Sequence, residues 1–237
     1  MGRPWASLAV VAVAQAYFLV ADRLPAIEPV DLSLLVAGLC GSAAIFACLA
    51  ATAPAWDAPR PLAILTVGGL AVAVVLAVAD VGAAATPVEA IAFGALGATL
   101  AAGLVSPAMA LGLPVFVAVV DVLSTVAGGL SEHVANAGPP KGGDLLTLEL
   151  PDWHSGLSGG RLGLSDAVFA GAFLLLARRV GFRPRATVLG MWLGTLAAIT
   201  LAVLTGHAVP ALPFIAAGYF AANADRLPGL FEAARRG

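Results

Sequence analysis

Apolar residues run along this chain in long unbroken blocks, without the short period of a half-buried strand or surface helix. Eight blocks can be drawn, at 6–21, 33–52, 62–80, 88–105, 107–130, 164–179, 186–205 and 208–223. Crossing a bilayer takes about 20 apolar residues in a helix, so the pattern predicts an all-α polytopic membrane protein with about eight transmembrane helices. The sixth and eighth blocks are short and are expected to sit in a thinned region or extend beyond these limits. Ser106-Pro107 marks the turn between the fourth and fifth, because proline disfavours helical backbone in the residue before it. Polar chain collects at 131–163. That stretch is rich in glycine and proline, as in Gly138-Pro139-Pro140-Lys141-Gly142-Gly143, and then alternates through Leu146-Thr147-Leu148-Glu149-Leu150. The period of two predicts one short strand over 145–150. The chain thus divides into an N-terminal half, 1–105, of four spans and a C-terminal half, 106–237, of four spans with the loop between its first two.

Composition supports this division. The 237 residues are 60% hydrophobic and 11% charged, against about 25% charged in a soluble domain. Mean hydropathy is +0.98, and a net charge of −2 gives no basis for a nucleic-acid partner. Cys40 and Cys48 would lie about 12 Å apart along one helix, too far for a disulfide, and read as packing residues. The first block leads into Asp22-Arg23-Leu24-Pro25 without a small-residue cleavage pattern and reads as a retained span. Gly190 and Gly194 form a GxxxG pair suited to close helix approach. Trp5, Trp56 and Trp153 fall near predicted interfaces.

Charge sets the expected orientation. With eight crossings, one side receives Arg3, Arg60, Arg178, Arg179, Arg183, Arg185, Arg226, Arg235 and Arg236, the other Arg23, Lys141 and Arg161. The positive-inside rule then predicts a multi-pass protein of the cell membrane, both termini cytoplasmic and the 131–163 loop extracytoplasmic.

Two carboxylates interrupt the apolar blocks. Asp121 lies deep in the fifth and Asp166 about one turn inside the sixth. An ionisable group at membrane depth is costly unless it faces a cavity or a partner, and so marks a candidate site. The two helices are consecutive and antiparallel, so both carboxyls can meet on the side of the 131–163 loop. Their depths differ: about 14 Å from the expected helix end for Asp121, about 3–5 Å for Asp166. Paired carboxyls share a proton. The ionised one can take a proton from water while the protonated one donates to a peptide carbonyl, with no metal or cofactor. The eighth block opens with Val209-Pro210-Ala211-Leu212-Pro213-Phe214, where two prolines predict an irregular helix entry of the kind tolerated beside a cavity.

Three of these stretches resemble the signatures of the presenilin and signal peptide peptidase family of GxGD intramembrane aspartyl proteases. Gly163-Leu164-Ser165-Asp166 is similar to GxGD, Val120-Asp121 stands where the family has Tyr-Asp, and Pro210-Ala211-Leu212 matches its PAL motif. The likeness covers roughly 105–223, in the family's order and on three separate helices. It implies a presenilin-like bundle (nine helices in the family) that cleaves transmembrane segments or remnant signal peptides, with transmembrane peptides as partners in the lipid bilayer. Asp121 and Asp166 would be catalytic. Gly163, Leu164, Ser165, Pro210, Ala211 and Leu212 would bind substrate. The departures are Val120 for tyrosine, Ser165 for the second glycine, and one helix fewer.

Other readings stay open. A prepilin-type peptidase also uses a GxGD aspartate but predicts no PAL element. A proton-coupled carrier or a catalytically weakened scaffold could use the same Asp pair. Asp80 and Glu89 flank a turn and are expected at an interface, Gln15 in a helix–helix hydrogen bond, and His207 at an interface. His133, Asp144, Asp152 and His154 match no metal-ligand spacing.

Overall fold

The computed structural model describes residues 4–25, 27–126, 146–151, 153 and 160–236. Apolar content converts into helices almost block for block. They are α1 (Pro4–Val20), α2 (Val30–Thr52), α3 (Pro59–Val78), α4 (Thr86–Ala102), α5 (Pro107–Val126), α6 (Leu164–Arg179), α7 (Pro184–Thr205), α8 (Leu212–Ala221) and α9 (Leu227–Arg236). Six of them, α1 to α5 and α7, are long and apolar enough to cross a membrane. The chain is therefore a mostly helical, polytopic membrane protein. The expected sixth block is the 16-residue α6, about 24 Å long, and the eighth is reduced to the 10-residue α8, about 15 Å.

α6 tolerates its shortness because it is central. Ala170 to Ala177 are all buried, and α6 touches α4, α5, α7 and α8, so protein rather than lipid surrounds it. Glycines set its closest neighbour. A Cβ at Gly97 would overlap the Val168 carbonyl, and one at Gly171 the Gly94 backbone, so α4 and α6 meet backbone to backbone. The Gly190/Gly194 pair does the same for α7 and α8: Cβ atoms there would overlap the Gly218 and Phe214 carbonyls.

One strand was expected over 145–150 and a hairpin is observed. β1 (Thr147–Glu149) pairs antiparallel with β2 (Arg161–Gly163), in the register Thr147 to Gly163, Leu148 to Leu162 and Glu149 to Arg161. Leu148 and Leu150 turn inward, and the Thr86 hydroxyl donates to the Glu149 carbonyl (2.8 Å), tying the hairpin to the start of α4. The strand is thus formed and paired within the chain itself.

Several placements differ from expectation. Trp56 is not interfacial but core, 1% exposed, and Glu89 is buried at 4% rather than sitting at an interface. Both follow from short turns that fold back under the bundle: the 3₁₀ segment Ala53–Asp57 after α2 and Gly82–Ala85 before α4. Trp5 is exposed, and Trp153 donates to the Tyr17 hydroxyl (2.9 Å). Gln15 donates across helices to the Ala84 carbonyl (2.8 Å), as its position in an apolar block requires. Both cysteines are free, and Cys48 is fully buried. α9 falls outside the eight apolar blocks. His133, Asp144, Asp152 and His154 lie outside the described residues, as do 127–130 at the end of the fifth block.

Candidate active site

Both aspartates sit near the hairpin end of the bundle, on α5 and α6, which are in contact. Asp166 is the third residue of α6. Gly163, the residue before the helix, donates its amide to Asp166 Oδ2 (3.0 Å). The carboxyl therefore satisfies a backbone donor that the helix start leaves free, at the helix end whose dipole favours an anion. A Cβ added at Gly163 would come 3.2 Å from Ser165 Oγ, a tight approach, and 3.5 Å from Asp166 Oδ2, an ordinary contact. Ser165 itself is exposed.

Asp121 is tied down from the other side. The proline-rich entry expected before the eighth block is present as irregular chain over 208–211, after the left-handed Gly206 that ends α7. Where α8 begins, Leu212 donates its amide to Asp121 Oδ2 (3.1 Å). Ala211 and Leu212 are buried and Pro210 is half-buried. Ser124 and Thr125 both donate to the Asp121 carbonyl oxygen at 2.9 Å. Upstream, Pro114 interrupts α5, withholding one amide from the helix ladder. The described helix runs five residues past Asp121, to Val126, about 7.5 Å.

The two carboxyls are carried by helices in contact, Asp121 on α5 and Asp166 on α6. Each has Oδ2 held by one backbone amide. Among the described residues, neither Oδ1 has a hydrogen-bond partner. A cavity of about 10 Å³ adjoins Asp166, walled by Phe46, Leu148, Leu162, Thr195 and Ile215. That is close to the minimum space for one water. The hairpin residues Leu148 and Leu162 thus roof the space beside the carboxylate.

Every site residue expected from sequence is described. Gly163 is joined to Asp166 and Leu212 to Asp121, each through its backbone amide. Leu164, Ser165, Pro210 and Ala211 flank them in the chain. Val120 is 47% exposed, so this position lies partly open at the surface of the bundle. No family model, curated protein or solved structure matches the chain. Sequence reasoning missed β2, Thr195 and the Gly94–Gly97–Gly171 contact that fixes α6. Gly163 stands out in the sequence as part of a motif, whereas the strand it ends has no period of its own. Among the described residues no cluster of histidine, cysteine and acidic side chains could hold a metal.

Proposed function

We propose that the chain is an intramembrane aspartyl protease that hydrolyses peptide bonds within transmembrane segments or remnant signal peptides. The observation that carries this reading is the placement of Asp121 and Asp166 on the contacting helices α5 and α6 of an apolar bundle, with the Leu212 amide on Asp121. The likeness of Gly163–Asp166, Val120-Asp121 and Pro210-Ala211-Leu212 to GxGD-protease motifs supports it.

In this reading a water lies between the two free Oδ1 atoms. One carboxylate takes its proton as the oxygen attacks the carbonyl carbon. The other, protonated, donates to the carbonyl oxygen and gives a tetrahedral diol. Collapse of the diol returns a proton to the leaving amine, and no covalent intermediate forms. Gly163, Leu164 and Ser165 shape the approach to Asp166, while Pro210, Ala211 and Leu212 hold the substrate strand against it. The hairpin edge would accept an unwound substrate strand.

The bundle is presenilin-like in this proposal, with eight crossings of the cell membrane. α6 and α8 count as crossings because protein encloses the first and the irregular 206–211 segment extends the second. By the positive-inside rule the arginine end and both termini face the cytoplasm, and the hairpin end faces outward. A reporter fused after Arg236 should be active only in the cytoplasm.

The test is cleavage of a model transmembrane peptide by purified protein. Asp121→Asn and Asp166→Asn should each abolish it. Robust cleavage by either variant removes that aspartate from the mechanism and with it the proposal, leaving the scaffold or carrier reading.

A further inference from the structure

The opposite end of the bundle carries a feature that peptide hydrolysis does not use. Eight described arginines gather there: Arg60, Arg178, Arg179, Arg183, Arg185, Arg226, Arg235 and Arg236, against the carboxylates Asp57, Asp225 and Glu232. Arg178 pairs with Asp57, Arg183 with Asp225 and Arg236 with Glu232. Among the described residues the other five have no carboxylate partner.

Two of those five, Arg179 at the end of α6 and Arg226 before α9, line one pocket of about 360 Å³. Ser106, whose Oγ accepts the Met109 amide (3.1 Å) at the start of α5, is on its rim. Val105, Phe182 and Leu230 make its floor apolar. On another face of α9, an apolar groove of about 580 Å³ runs between α5, α8 and α9, walled by Ala108, Leu111, Phe116, Leu227 and Phe231. It begins one residue past Pro107 on the pocket rim. Two arginines on one pocket, beside an apolar groove, make an arrangement that an anionic amphiphile fits, and a free phosphate would leave the groove unused.

We propose that this pocket is a binding site for the headgroup phosphate of an anionic phospholipid, with an acyl chain laid along the α5–α8–α9 groove. The guanidiniums supply charge and paired donors to the phosphate oxygens, and basic pockets between membrane helices suit such headgroups. The occupant would brace α9 against α5, the helix that carries Asp121.

The test reconstitutes the full chain in vesicles of phosphatidylglycerol and phosphatidylcholine, extracts it, and weighs the intact protein with its retained lipid. The wild type should keep phosphatidylglycerol in preference to phosphatidylcholine. Arg179→Gln should weaken retention about fivefold, and the double change with Arg226→Gln about thirtyfold. Arg185→Gln, outside the pocket, should change nothing. The Arg226 guanidinium also bonds to the Gly181 carbonyl, so the single Arg179→Gln variant, with no such contact among the described residues, decides the matter if the double variant unfolds. Equal retention of both lipids overturns the proposal, as does unaltered retention by Arg179→Gln. Displacement by millimolar inorganic phosphate also overturns it, by making the ligand a soluble anion. Peptide cleavage is not a readout, so this outcome is independent of the protease reading.

Discussion

The amide of Leu212 donates to Oδ2 of Asp121 at 3.1 Å, joining the start of α8 to a carboxylate 91 positions earlier in the chain. The proline-broken entry is therefore attached to one of the two aspartates. Asparagine keeps an acceptor for this amide and removes the ionisable group, whereas alanine removes both. Asp121→Asn should then melt near the wild-type temperature and lose about 10²–10⁴-fold in cleavage. Asp121→Ala should lose the same activity and in addition about 1–3 kcal/mol of stability, because the half-sequestered Leu212 amide is left unpaired. Thermal unfolding in detergent separates the two. Equal melting temperatures would mean that the amide finds water and the attachment is unimportant.

Backbone contact between α4 and α6 holds Asp166 in place and leaves no space for a methyl group at Gly97 or Gly171. Gly171→Ala should force the helices apart, destabilise the bundle by about 1–3 kcal/mol or more, and reduce cleavage through displacement of Asp166. At Gly112 in α5 an added methyl group would meet nothing within 4 Å. Gly112→Ala should be neutral or stabilising by up to about 1 kcal/mol, through helix propensity alone. A melting curve for each variant checks the contrast.

Much of the bundle was legible because lipid imposes a simple rule: backbone must satisfy itself in helices, and apolar blocks mark them. The block at 164–179 matches the bounds of α6, and the irregular start before Leu212 follows from Pro210 and Pro213. What escaped was set by tertiary contact. Arg161-Leu162-Gly163 carries no strand period of its own and becomes β2 only because Thr147–Glu149 pairs with it. Trp56 and Glu89 look interfacial from their neighbours in the chain, yet the turns around them fold inward. α9 is short and mixed in polarity, with Leu230 buried and Arg235 and Arg236 exposed, so it stands out by periodicity and not by hydropathy. In the site, the acidic pair was legible because charge is rare in these blocks. The amides that hold Asp121 and Asp166 were not, since any residue can supply an N–H.

Leu148 connects the hairpin to the site. It is 1% exposed, pairs with Leu162 and roofs the cavity beside Asp166. Leu148→Ala should cost about 2–5 kcal/mol locally, as a buried leucine leaves a void. The void would lie between the hairpin and the helices it packs on, so the two short strands should loosen first. Amide exchange at 147–149 and 161–163 should rise while exchange in α6 stays slow, and cleavage should fall. Unchanged cleavage with a loosened hairpin would remove the hairpin from substrate binding while leaving the aspartate pair intact.

The chemistry assigned to the pair also predicts what should inhibit it. Two carboxyls acting on water form a tetrahedral diol with no metal and no nucleophilic side chain. A transition-state mimic binds more tightly than substrate because the site is complementary to that geometry. A transmembrane peptide in which a hydroxyl-bearing tetrahedral carbon replaces the scissile carbonyl should block cleavage by the wild type. It should bind at least about 10²-fold more weakly to Asp166→Asn, whose amide cannot share the proton between the two side chains. Chelators should leave the rate unaltered, and so should reagents that acylate serine hydroxyls. Inhibition by a chelator, reversed by a divalent cation, would transfer the hydrolysis from the Asp121–Asp166 pair to a metal-bound water.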